Sequence, residues 1–197
     1  MNDHIKSALE IAMEKIEKLG EATEEERLRW KHVPEGEQLA VRYLKEDCNL
    51  VAELNQYQKN VRKYITEGAS EILIRNLSLP KNDVIKKNNR KTMDGLKTLK
   101  SDKAGVENVY SQIRNIFSHY AEQGEQQRQQ AYQSLKAEFE AQVQQQVQQQ
   151  LGSAMPVNID VEKQPQFQQE WRKIQTQLDS QYLSLLDEYK RGLSSIA

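Results

Sequence analysis

The side chains best able to do chemistry are few: three histidines, His4, His32 and His119, and one cysteine, Cys48. A dinuclear iron or manganese site in a helical bundle needs paired Glu-x-x-His motifs, since carboxylates bridge the metals and each imidazole adds a nitrogen ligand. The residues three before the histidines are Met1, Arg29 and Ile116, so that pattern is absent. His32 with Glu35 and Glu37 could contribute metal ligands. Pro34 and Gly36 between them read as a loop with no fixed face, which makes His32 an exposed loop histidine. Cys48 stands beside Asp47, whose negative charge raises a thiol pKa, so it reads as a structural thiol rather than a nucleophile. One cysteine allows neither an internal disulfide nor a thiolate zinc site. No G-x-x-x-x-G-K-[ST], G-x-G-x-x-G or G-x-S-x-G occurs, so nothing reads as a phosphate cradle or a nucleophile elbow. The expectation is no catalytic residue, no metal and no cofactor.

Two stretches carry rival functions. The run Arg114-Asn115-Ile116-Phe117-Ser118-His119 resembles the Arg-x4-His motif of HEPN ribonucleases, all-helical proteins that dimerise to assemble an RNA-cleaving site. The resemblance implies that Arg114 would steady the phosphate and His119 would serve in acid/base chemistry. It covers six residues. Asn115 fits many members, whereas Tyr120 follows the histidine directly where many members place a tyrosine two residues on. The second stretch, 81–103, holds Lys81, Lys86, Lys87, Arg90, Lys91, Lys97, Lys100 and Lys103 and could neutralise phosphates without sequence preference. It contains no aromatic residue for base stacking. The plainer reading is a solvated helix face that pairs with acidic residues in 1–58, where 13 acidic side chains outnumber 8 basic ones.

The elements that must position these residues are helices. Ile5, Leu9, Ala12, Ile16 and Leu19 recur at spacings of four and three, and Gly20 closes that amphipathic stretch. Thr23 and Glu26 form a T-x-x-E capping box before a short helix through Leu28 and Trp30. Pro34 and Gly36 then interrupt. Leu39, Tyr43 and Leu44, followed by Leu50, Leu54, Val61 and Ile65, predict two core-facing helices separated near residues 47–49. Residues 71–77 read as helix, and Asn82 and Asp83 as the cap of a basic helix anchored by Val84, Ile85, Leu96 and Leu99. From Ala104 to Leu151 no proline occurs, which predicts a single helix of roughly 45 residues. Its stretch 122–130 has no apolar side chain and is expected to be solvated. After an extended connector around Val157, Ile159 and Val161, the last helix shows Phe167, Trp171, Ile174, Leu178, Tyr182, Leu185 and Tyr189 at near-heptad spacing. Trp30, Trp171 and the tyrosines read as packing residues.

Composition agrees. Eight glycines and four prolines among 197 residues leave few breakers, and 37% hydrophobic content with a mean hydropathy of -0.86 suits long, solvent-bathed helices. Twenty of 24 glutamines fall between Gln123 and Gln181. No apolar run approaches a membrane span and Met1 to His4 lacks a leader pattern, so a cytoplasmic location is expected. The expected fold is all-α and elongated: an N-terminal helical region, 1–103, then an antiparallel, coiled-coil-like hairpin, 104–197, of a long helix and a returning one. The expected function is non-catalytic interaction or assembly. It would act as a homodimer through Phe167, Trp171, Ile174, Leu178, Tyr182, Leu185 and Tyr189, with a further protein partner and no membrane.

Overall fold

The computed structural model describes residues 23–46, 48–151 and 160–196. The stripe from Ile5 to Leu19 lies outside them, as do Val157 and Ile159. Among the described residues the fold is all-α, with no strand, and no helix is long and apolar enough to cross a membrane. The chain divides into two compact units, Met1–Ile74 and Arg75–Ala197.

In the first unit, α1 (Glu24–Lys45) opens with the capping box. The Glu26 backbone N–H donates to Thr23 Oγ1 at 3.2 Å, and the Thr23 N–H donates to Glu26 Oε2 at 2.8 Å. Pro34 and Gly36 do not interrupt this helix, contrary to the sequence expectation. The reason is tertiary. Gly36 is buried against the backbone of Ile65 on α3 (Lys59–Asn76), and Gly68 of α3 is buried against the backbone of Val33. The two helices cross where neither carries a side chain, and that packing outweighs the low helix propensity of glycine and proline. His32 is therefore a helical residue, not a loop one. Its side chain is nearly buried and its Nδ1 is 2.9 Å from Glu35 Oε2. Trp30 is the reverse case: it is 53% exposed rather than packed.

Between α1 and α3, Asn49 caps the short α2 (Leu50–Asn55) by accepting from the Val51 and Ala52 N–H groups. A second break at 56–58 splits what the sequence suggested was one helix. Arg62 ties it down by donating to the carbonyls of Tyr57 and Asn55 at 2.8 and 3.1 Å.

In the second unit, Asn82 caps α4 (Asp83–Leu99) and Asp102 caps α5 (Lys103–Ala121). The single long helix of the sequence reading is two, α5 and α6 (Gln123–Leu151), parted at Glu122. A 3-10 turn (Val161–Lys163) leads into α7 (Pro165–Ser195), which starts on Pro165. Along α7 the neighbours come in reverse order: Phe139 and Tyr132 meet Phe167, Tyr132 meets Trp171, Tyr120 and His119 meet Tyr182, and Val109 lies beside Gly192. So α7 runs antiparallel along α6 and then α5. Val106, Tyr110, Ile113, Ile116, Leu135, Phe167, Leu186 and Leu193 are buried in this unit.

Candidate functional site

The seven residues proposed as an interface on α7 do not share one environment. Phe167 is buried, packed edge-to-face on Tyr132 and Phe139 at 5.5 and 5.4 Å. Trp171 meets Tyr132 at 5.1 Å, and Tyr182 meets Tyr120 at 5.1 Å. Ile174, Leu178 and Tyr189 are half-buried, and Leu185 is 43% exposed. At 100° per residue these last four, spaced four, seven and four, form a stripe roughly 70° to the side of the line through Gln175, Tyr182, Leu186 and Leu193. The face turned on α5 and α6 includes Asp179, Leu186 and Leu193, which recur every seven residues and are all buried.

Asp179 is the centre of a polar layer that the sequence reading missed. Its side chain is 6% exposed, and its Oδ2 accepts from Lys81 Nζ at 2.7 Å. Lys81 is held there by the preceding loop. The buried Asn89 of α4 accepts from the Ser78 N–H at 3.1 Å and donates to the Ser78 carbonyl at 2.6 Å, so the loop is clamped from both sides. Arg128 of α6 comes within 3.8 Å of Asp179 Oδ1, donates to Glu125 at 2.8 Å and lies over the Tyr120 ring at 4.1 Å, a cation–π contact. Burial, and then the charge of Asp179, push the Tyr120 hydroxyl up to about 12. Gly124 is buried here: a Cβ would stand 3.2 Å from both the Tyr182 hydroxyl and Arg128 Nη1. The stretch 122–130 is therefore not wholly solvated. Gly124 and Arg128 line a polar interior that apolar spacing does not mark. The signal was present as an aspartate in register with Leu186 and Leu193.

Arg114 and His119 are not brought together. Five residues apart on α5, they project about 140° from each other. Arg114 pairs with Glu107 at 2.5 Å and lines a cavity of about 630 Å³ between α4 and α5, together with Arg90, Lys97, Tyr110 and Phe117. His119 shares a 2.8 Å hydrogen bond with the Tyr182 hydroxyl of α7. Lys97 also engages Glu107, at 2.9 Å, and these two hydrogen bonds lower the Glu107 pKa.

Part of the basic stretch is partnered within its own unit. Lys81 pairs with Asp179, Lys86 with Asp83 and Lys97 with Glu107. Lys100 donates to the Ile196 carbonyl at 2.6 Å, and Lys103 closes α4 by donating to the carbonyls of Lys97, Thr98 and Lys100. Cys48 is a free, half-buried thiol. Among the described residues no three His, Cys, Asp or Glu side chains converge as a metal site would require.

A helical unit in which one long helix packs antiparallel against two others over a charged layer is the class of protein that fold and site define. The chain belongs to a family of unknown function, DUF6657, whose model matches residues 51–195. Comparison with curated proteins and with solved structures finds no match.

Proposed function

We propose that the protein is a non-catalytic interaction or assembly protein that associates with a second copy of itself along α7. The observation that carries this reading is the half-exposed stripe of Ile174, Leu178, Leu185 and Tyr189, which stands beside the face already spent on α5 and α6. A stripe on one helix is self-complementary under a two-fold axis, the commonest symmetry for a pair. Two copies would withdraw eight such side chains from water. At about 1 kcal/mol each, half the value for full burial, the gain is of the order of the association cost. Association is thus expected to depend on concentration, its net strength resting on what the contacts around the stripe add.

Sedimentation equilibrium of the full chain tests it. Wild type should approach the mass of a dimer at tens of micromolar, and Leu178→Glu with Leu185→Glu should stay monomeric with unchanged helical circular dichroism. A monomeric wild type at that concentration removes the proposal, and so does a dimer that survives both substitutions.

A further inference from the structure

The cavity of about 630 Å³ between α4 and α5 falls in the size range of small-molecule sites. Across it the two helices meet in reverse order: Lys97 pairs with Glu107, and Tyr110 donates to the Met93 carbonyl. About one turn beyond Met93 and Tyr110 stand Arg90 and Arg114, which therefore line the same level of the cavity from opposite walls.

Both arginines are open to solvent, and they differ in what engages them. Arg114 shares Glu107 with Lys97, so two cations meet one carboxylate. Arg90 makes no hydrogen bond or ion pair among the described residues. Over the whole lining, Lys86, Arg90, Lys97 and Arg114 stand against Asp94, Glu107 and Glu122, which leaves one positive charge in excess. Between the walls the floor is apolar: Met93 and Tyr110 are buried and Phe117 is half-buried. The Tyr110 hydroxyl is committed to Met93, so this residue offers ring surface rather than a free donor.

One negative charge balances such a lining. A guanidinium fork matches a carboxylate with two parallel hydrogen bonds, and the floor favours a ligand that carries an apolar body beside its charge. We propose that this cavity binds a small monocarboxylate with an apolar body, the carboxylate held between Arg90 and Arg114 and the body resting on Met93 and Phe117. The proposal is independent of self-association, because every residue it uses lies on α4 or α5 and none on α7.

Thermal unfolding and titration calorimetry of the full chain at low ionic strength test it with phenylpropionate and octanoate at millimolar concentration. Each is measured beside its own amide, which keeps the body and lacks the charge, and beside acetate, which keeps the charge and lacks the body. At least one of the two carboxylates should raise Tm by a few degrees and bind at least tenfold tighter than its amide and than acetate. Arg90→Gln should weaken that binding at least tenfold while leaving the Tm of the free chain unchanged, since the Arg90 side chain holds nothing in the fold. No response to either carboxylate overturns the proposal, as does an amide or acetate that binds equally well. Binding that survives Arg90→Gln unchanged places the ligand elsewhere and overturns it too.

Discussion

Tyr120 shows how far a side chain's chemistry departs from what its letter in the sequence suggests. Helical spacing marked it as a packing residue, and it is buried; what spacing could not reveal is the Arg128 guanidinium on its ring and the Asp179 carboxylate nearby. Its hydroxyl keeps its proton to about pH 12 in the folded chain, whereas in the unfolded chain it ionises near 10. The folded state thus holds more protons between those values, and stability must fall as pH rises from 10 through about 12. Tyr120→Phe should flatten that alkaline decline, measured by denaturant unfolding at intervals from pH 9 to 12. Tyr110, whose hydroxyl is also raised by burial and donates to the Met93 carbonyl, should preserve part of the slope. A slope identical to wild type would mean that Tyr120 ionises as freely folded as unfolded. Asp179 is hard to read for a related reason: apolar spacing locates a seam, and nothing in that spacing marks a charged residue in heptad register with Leu186 and Leu193 as part of it.

At the scale of elements, helix content was legible and helix ends were less so. The capping box at Thr23 and the cap at Asn82 follow from local chemistry, so the sequence reading located those starts. Pro34 and Gly36 misled it because their role is set by a helix distant in sequence. At the α1–α3 crossing an added Cβ on Gly36 or Gly68 would run into backbone atoms, Ile65 and Val33 respectively, which a side-chain rotation cannot relieve. Gly36→Ala and Gly68→Ala should each destabilise the chain, at or beyond the upper end of the ~1–3 kcal/mol typical of overpacking. Gly192→Ala on α7 is the control. There the nearest atom to a new Cβ is Val109 Cγ2 at 3.8 Å, an ordinary contact, so the gain in helix propensity should stabilise by about 0.5–1 kcal/mol. Chemical denaturation of the three variants separates the two expectations by sign.

For the molecule as a whole, an all-α chain could be read from scarce breakers and three-four spacing, but its division into units could not. The boundary between Ile74 and Arg75 falls inside α3, which runs on to Asn76 without glycine, proline or a polar linker to mark it. Boundaries usually lie in exposed loops; this one falls within a helix where no local signal stands, so it depends on tertiary packing. Leu73 and Ile74 close the first unit, while Leu77 and Leu79, three and five residues beyond Ile74, are buried at the start of the second. The second unit has its own apolar interior, its own caps on α4 and α5, and the Asp179 layer with every partner named for it, Lys81, Arg128 and Tyr120, inside 75–197. A fragment of residues 75–197 should therefore fold by itself, with helical circular dichroism and a single cooperative thermal transition. Within it, Asn89→Ala should lower Tm by several degrees, because removing the clamp on Ser78 leaves two backbone groups without their partners and loosens Lys81 from Asp179. A fragment that melts without cooperativity would show that residues 75–197 do not fold without the rest of the chain.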